Sequence, residues 1–386
     1  MNNTAILTDV FGYDELDVKF EKITNNLDNY DVDVGVEVIF NYYRKHGFPH
    51  YTIREDEKHQ HMRKMQRFDT DTIFKDNKIV QTMHGLRLAW TYFPHFWEVQ
   101  CGNATRTPME TFLDDDKFKS VIKKCWRWCS TTYKGENEGT KNTFRENRLR
   151  QSLKIYTGTQ AVSNFRPTAA KMIYEKFGGD AIWDMSCGWG GRLLGFLASS
   201  RPKYIGTEPS SLTFEGLKKI KKDFNYLTKS VELHKLGSEQ FEPDANSLDL
   251  CFTSPPYFDT EKYSDEETQS FKKYPTKEEW INGFLYKTIE NCYNGLKGNK
   301  YMLINIANTP KYKFIEEETI RIATELGFKQ EQTIELTLSS IMGAGYKYEP
   351  IFCFKKWHLS EKEIVELIFM IDLHTKSLTI KQELSI

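Results

Sequence analysis

From about residue 156 the chain alternates short apolar runs with helical segments, a rhythm absent from the first 155 residues. The runs "AIWDM" (181–185), "KYIGTE" (203–208), "VELHKL" (231–236), "SLDLCFT" (247–253) and "YMLINI" (301–306) have the length and residue types of buried strands. Helix-like stretches such as "GRLLGFLASS" and "LTFEGLKKIKKDF" stand between them. Strands alternating with helices predict a mostly parallel, doubly wound α/β sheet of Rossmann-like type, covered on both faces. "KQEQTIELTL" and "EPIFCFKKW" follow without a helix between them, which predicts an antiparallel pair closing one edge.

Three segments follow from this pattern. Residues 1–155, with aromatic- and His-rich runs such as "NYYRKHGFPHYTI" and "LRLAWTYFPHFWEVQ", predict a mainly helical N-terminal domain. Within it "TTYKGENEGTKN" (131–142) is the most loop-like stretch. Residues 156–357 form the α/β domain. Residues 358–386 predict a C-terminal helix and tail, with capping-box spacing at Ser360–Glu363 and an apolar stripe of Ile364, Leu367, Ile368 and Ile371.

Composition narrows the class. The 386 residues are 39% hydrophobic and 28% charged, which suits a globular protein of two domains. No window is long and apolar enough to cross a bilayer, so no membrane partner is expected. The N-terminus lacks the basic region and apolar core of a secretion signal, which predicts an intracellular, cytoplasmic protein. Seven cysteines with no CxxC spacing read as buried reduced thiols, and no metal site is expected at His59 and His61.

The formal charge of −1 does not announce a polyanionic partner, but its distribution is uneven. Residues 117–150 hold ten Lys or Arg against three Glu, whereas residues 1–116 hold thirteen against twenty Asp or Glu. Trp126, Trp128, Tyr133 and Phe144 interleave the positive stretch. That mixture suits a nucleic-acid groove and equally an amphipathic helix pair with snorkelling bases.

The candidate chemistry lies at strand ends, where open α/β sheets bind ligands. The first strand ends at Asp184 and enters "DMSCGWGGRLLG", where Gly188 and Gly190 permit a tight turn and bare backbone against a ligand. Glu208 ends the second strand, twenty-four residues after Asp184, where a carboxylate can hold ribose hydroxyls. A third dinucleotide-type glycine would fall at Leu193, so a pyrophosphate cradle is not evident and S-adenosylmethionine is favoured.

The fourth strand runs into "SLDLCFTSPPY". Two consecutive prolines cannot donate to a sheet ladder, so the strand must stop in a rigid hook. This hook resembles the catalytic motif of the S-adenosylmethionine-dependent DNA amino-methyltransferases, whose form is Asp/Asn/Ser-Pro-Pro-Tyr/Phe. Further matches are "NFRPTAAKMIYEKFG" (164–178), "WDMSCGWGG" (183–191), "TEPS" (207–210) and "GYKYEPIFCFKK" (345–356). The resemblance spans residues 160–357 and implies a class I methyltransferase fold. It implies a cofactor site at Phe165, Arg166, Pro167, Thr168, Asp184, Ser186, Cys187, Gly188, Gly190, Glu208, Pro209, Ser238 and Ser254. It implies catalysis by Ser254, Pro255, Pro256 and Tyr257 on the amino nitrogen of a base flipped from a DNA duplex.

Ser254 and the Pro255 carbonyl would accept the two amino hydrogens, and Tyr257 would stack on the base. Ser in the first position is commoner among cytosine-N4 enzymes, which tilts the expectation from adenine N6 towards cytosine N4. Methylation at cytosine carbon 5 would need a Pro-Cys nucleophile, and the chain has no such dipeptide. Only about sixty residues separate loop and hook, so target recognition falls to residues 1–155. Lys123, Lys124, Arg127, Lys141, Arg145 and Arg148 are the expected phosphate contacts. Residues 258–280, polar and nearly free of aliphatics, are expected to be a mobile loop that orders over the base. Other readings are the same fold acting on RNA, a nucleotide or a protein glutamine, and a non-catalytic nucleic-acid-binding protein. A restriction partner is left open.

Overall fold

The computed structural model describes residues 31–102, 104–133, 139–142, 144–341 and 345–357; the expected C-terminal helix lies outside them. In chain order the strands are β1 (Phe74–Lys75), β2 (Lys78–Ile79), β3 (Gln100–Cys101), β4 (Ser130–Tyr133) and β5 (Gly139–Asn142). Then come β6 (Ala181–Asp184), β7 (Lys203–Thr207), β8 (Ser230–His234), β9 (Leu248–Thr253) and β10 (Glu261–Lys262). The last are β11 (Leu296–Asn305), β12 (Phe328–Ile341) and β13 (Gly345–Lys356).

Nine strands form one sheet in the order β1-β2-β12-β13-β11-β9-β6-β7-β8. β8, β7, β6, β9 and β11 run parallel, and β13 is antiparallel to both of its neighbours, β11 and β12. This is the mostly parallel α/β sheet that the apolar runs predict. The antiparallel pair is present, but it does not close the edge. β2 pairs in parallel with β12 (Glu335 opposite Lys78, Leu336 opposite Ile79), so the N-terminal region supplies the sheet's outer edge. Strands of two residues have no periodicity to read, which is why the pattern gave no sign of them.

Strand faces explain the layers. In β6, Ile182 points into one apolar cluster and Trp183 into the other, following the two-residue alternation of a strand. In β9 every position is buried, as a central parallel strand requires. One cluster joins Ile182, Phe196 and Phe252 to Val36, Trp90, Phe93 and Trp97 from the N-terminal region. Those N-terminal residues therefore pack into the sheet's own core. In the helix Asp115–Cys129, Phe118, Val121, Ile122, Cys125, Trp126 and Cys129 are buried at helical spacing, leaving the lysines and arginines outward. The seven cysteines are buried free thiols. Among the described residues no helix is long and apolar enough to cross a membrane.

Candidate active site

The chain builds β6, β7 and β8 outward in one direction and then returns to place β9 on the other side of β6. Strand order reverses there, and the carboxyl ends of β6 and β9 lie side by side, with Asp184 opposite Phe252. Open α/β sheets bind ligands at such a crevice. A cavity of about 750 Å³ opens at this point. That is in the upper part of the range of small-molecule sites, about 300–1,000 Å³.

At one end the glycine-rich loop and β7 meet. Gly188 and Gly190 have φ of 53° and 70°, the left-handed region that glycine enters without strain. The Gly188 N–H donates to Glu208 Oε2 at 2.9 Å, and the Ser210 N–H donates to Oε1 at 3.0 Å. Glu208 is 8% exposed. Burial pushes its carboxyl up to about 7, against the two backbone donors, which favour the charged form. A Cβ on Gly191 would stand 1.9 Å from the Phe165 carbonyl oxygen, so that glycine lets the 164–166 segment close on the helix start. Phe165, Arg166, Ser186, Gly188, Glu208, Pro209 and Ser238 all line the cavity.

Five other residues of the expected cofactor set stand behind this wall and do not line it. Asp184 is fully buried, receiving Arg192 Nε at 2.9 Å and the Tyr204 hydroxyl at 2.7 Å. Arg192 also donates to the Ser186 carbonyl, so the ion pair braces the loop from beneath. Removing one partner of so buried a pair costs about 3–5 kcal/mol. Cys187 is buried against Tyr204, whose hydroxyl is 3.4 Å from its sulfur. A Cβ on Gly190 would meet Ile220 at 2.6 Å and Phe93 at 2.9 Å. Pro167 and Thr168 open the helix Pro167–Phe177, and the Thr168 hydroxyl is 2.8 Å from that of Thr82. Successive residues of a tight loop point to opposite sides, so nearness in sequence does not place a side chain in the cavity.

The hook forms the middle of the cavity, with Ser254, Pro255, Pro256 and Tyr257 all on its wall. The Tyr257 hydroxyl donates to the carbonyl of Asn305, the last residue of β11, at 3.3 Å. Glu261, Asn305 and Glu349 line the same cavity as the hook. Burial raises the carboxyls of Glu261, to about 7, and of Glu349. Nothing in the sequence pattern singles out Arg192, Glu261 or Glu349, because each stands alone in an unremarkable stretch.

The segment after the hook is fastened rather than loose. β10 pairs with β3, the Gly102 N–H donates to the Thr260 carbonyl at 2.8 Å, and the Tyr263 ring lies 5.9 Å from Trp189. Glu266 receives the Ser211 N–H at 2.9 Å and the Ser211 hydroxyl at 2.6 Å. A mobile loop was expected here; the missing signal was β3, a two-residue strand in the N-terminal region.

The cavity has unanswered polar groups. Arg166 Nε, Thr260 Oγ1 and Gln269 Nε2 are buried without a protein partner, and all three residues line it. Together with Glu208 and the Gly188 backbone they fit a ligand with a ribose at one end and charged groups further in. S-adenosylmethionine has that shape.

The expected phosphate contacts lie elsewhere. Lys123, Lys124 and Arg127 line a shallow cleft of about 480 Å³ with Ser120, Trp128, Tyr156 and Thr157. Lys123 is paired with Asp33 at 2.7 Å, and Lys124 lies over the Trp128 ring at 5.0 Å and the Tyr156 ring at 5.6 Å. Arg127 and Trp128 are exposed, as are Arg145 and Arg148. Arg145 donates to the Phe144 carbonyl at 2.7 Å. The Lys141 side chain lies outside the described residues.

No protein-family model matches the chain, and no curated protein matches it. Among solved structures it is similar to an S-adenosylmethionine-dependent methyltransferase from Methanosarcina mazei, at 14% identity over 47% of this chain and 94% of that one, with a TM-score of 0.33. It is similar to a methyltransferase from Pyrococcus furiosus, at 14% identity over 50% of this chain and 83% of that one, TM-score 0.35. A third is the Burkholderia thailandensis 1,6-didemethyltoxoflavin-N1-methyltransferase bound to S-adenosylhomocysteine, at 9% identity over 50% and 78%, TM-score 0.36. These likenesses are partial. The sheet's own strand order is that of a mostly parallel, doubly wound α/β sheet with one antiparallel strand, β13, set between β11 and β12.

Proposed function

We propose that the chain transfers a methyl group from S-adenosylmethionine to the exocyclic amino nitrogen of a DNA base held out of its duplex, with cytosine N4 favoured over adenine N6. The observation that carries this is the Ser254–Tyr257 hook at the end of β9, which lines one cavity together with Glu208 and Gly188. The cofactor supplies an electrophilic methyl group.

The protein's own residues supply position and polarity. Glu208 and the Gly188 backbone hold the ribose end, and Arg166 offers an unpaired donor further along. An exocyclic amino group shares its lone pair with the ring and is a poor nucleophile. Ser254 and the Pro255 carbonyl accept its two hydrogens and draw the lone pair out of conjugation. Two prolines fix those acceptors in advance, so little reorganisation is left for the reaction. Tyr257, tied to Asn305, stacks on the base. The basic cleft with exposed Trp128 supports a nucleic-acid acceptor.

Nucleoside mass spectrometry on DNA from cells expressing the protein tests this reading. N4-methylcytosine or N6-methyladenine is expected with the intact chain, and about 100-fold less with Ser254→Ala. Neither mark appearing, while the purified protein binds S-adenosylmethionine, would remove DNA as the acceptor.

A further inference from the structure

Methyl transfer to an amino group creates a charge that the hook cannot remove. The nitrogen's lone pair forms the new N–C bond, and the pair of the broken C–S bond stays on sulfur. Sulfur ends neutral, and nitrogen ends with a positive charge and one proton too many. Ser254 and the Pro255 carbonyl accept hydrogen bonds, but neither a neutral hydroxyl nor an amide carbonyl takes up a proton at neutral pH. The proton goes to water or to a base, and a base on the acceptor side of the hook would take it directly.

Three carboxyls near the hook line the cavity: Glu261 on β10, Glu349 on β13, and Glu316, which already receives the Asn308 N–H at 2.7 Å. Glu349 stands two residues from Ile351, which pairs with Asn305, the residue whose carbonyl receives the Tyr257 hydroxyl, and Glu261 follows Tyr257 by four residues. Glu261 is already engaged at both oxygens, receiving the Cys101 thiol at 3.3 Å and the Tyr263 hydroxyl. Those bonds clamp the post-hook segment to β3. Glu349 is half-buried and carries no such task; its neighbours are Lys347 on its own strand and the Asn305 side chain on β11. The charged and titratable groups around the hook are thus Lys347 and Glu349 from β13, Glu261 from β10, Tyr257 itself, and Glu316 from the helix Ile315–Glu325.

We propose that Glu349 takes the surplus proton from the methylated amino nitrogen. This rests on the amino-methyltransferase reading, and it adds a catalytic residue outside the hook. Burial raises the Glu349 carboxyl above the ordinary carboxylate range, so it accepts a proton more readily than an exposed glutamate does.

Cofactor analogues test this without any acceptor. Sinefungin carries a cationic amine where the transferable methyl stands, and S-adenosylhomocysteine carries nothing there. By titration calorimetry at pH 8, the wild type is expected to bind sinefungin about tenfold more tightly than S-adenosylhomocysteine. That preference should fade as the pH falls and the carboxyl is protonated. Glu349→Gln should bring the ratio near one with S-adenosylhomocysteine affinity unchanged, and Glu261→Gln should preserve the ratio. An unchanged ratio in Glu349→Gln, or loss in Glu261→Gln alone, overturns the proposal.

A second arm uses unmethylated plasmid DNA and radiolabelled S-adenosylmethionine. Here kcat is expected to rise with pH in the wild type. Glu349→Gln should lower kcat about 100-fold and abolish that rise, and Glu349→Asp should restore part of it. Wild-type protein that shows the sinefungin preference but methylates no DNA overturns the DNA acceptor and leaves Glu349 supported. Methylation of DNA with a kcat unaffected in Glu349→Gln overturns Glu349 and leaves the acceptor intact.

Discussion

Glu208 carries opposite demands on one carboxyl. Burial favours its protonated form, with the carboxyl near 7, while a ribose diol needs the ionised form as acceptor. In the free protein its raised value adds stability in full below the ordinary range of Glu, and that increment is lost as pH rises through about 7. Cofactor binding runs the other way. Affinity for S-adenosylhomocysteine is therefore predicted to rise about tenfold between pH 6 and pH 8, following the ionised fraction. Calorimetry across that window checks it: Glu208→Gln should flatten the slope and weaken binding throughout, and a wild-type affinity independent of pH would contradict the assignment. Glu208 was legible in the sequence because a strand-end acid at that spacing has few other reasons to exist. Asp184 was equally conspicuous and does different work, because the side chain that claims it, Arg192, stands eight residues on with nothing to mark it. A motif shows which residues are close to a site; only packing shows which of them face it.

The central strands β6, β7 and β9 were legible for a plain reason: a strand buried on both faces is mostly apolar, and such runs stand out. The strands that close the site are short and borrow their stability from neighbours. β3 and β10 have two residues each, and they hold the 258–270 segment over the cavity. Glu266 completes this strap by capping the helix Ser211–Asp223, a helix end where a carboxylate interacts well with the unpaired N–H groups. Losing such a cap costs about 1 kcal/mol. Glu266→Ala is predicted to speed cofactor dissociation about fivefold, with little change in the chemical step. Stopped-flow release of S-adenosylhomocysteine measures this, and an unchanged off-rate would show that the strap does not gate the site. The acidic composition of this segment was visible beforehand; its anchoring was not, because the partners lie in elements about 50 and 160 residues earlier in the chain.

At the scale of the whole molecule, the N-terminal region does two things that its sequence suggested only in part. Its aromatic residues, read as belonging to a separate helical domain, pack into the sheet's core around Trp90, Phe93 and Trp189. Most of the basic residues of its positive stretch stay outside, although Arg150 is buried. The helix Asp115–Cys129 turns its apolar stripe inward, as the amphipathic reading of the charge excess expects, and leaves a positive outer face. Within that face the contributions differ. Lys123 is already neutralised by Asp33, whereas Arg127 is exposed and Lys124 lies against the open Trp128 ring. Contacts with phosphates release counterions, so each one lost lowers the salt dependence of binding by about one unit of slope. Stacking on a base releases none. Lys124→Ala with Arg127→Ala is therefore predicted to lower the slope of log K against log salt by about two. Trp128→Ala should weaken binding by about 1–3 kcal/mol at every salt concentration and leave the slope unchanged. Fluorescence-anisotropy titrations with an oligonucleotide duplex, from low to physiological salt, separate the two effects. Equal slopes for all three proteins would count against a phosphate-contacting role for this cleft.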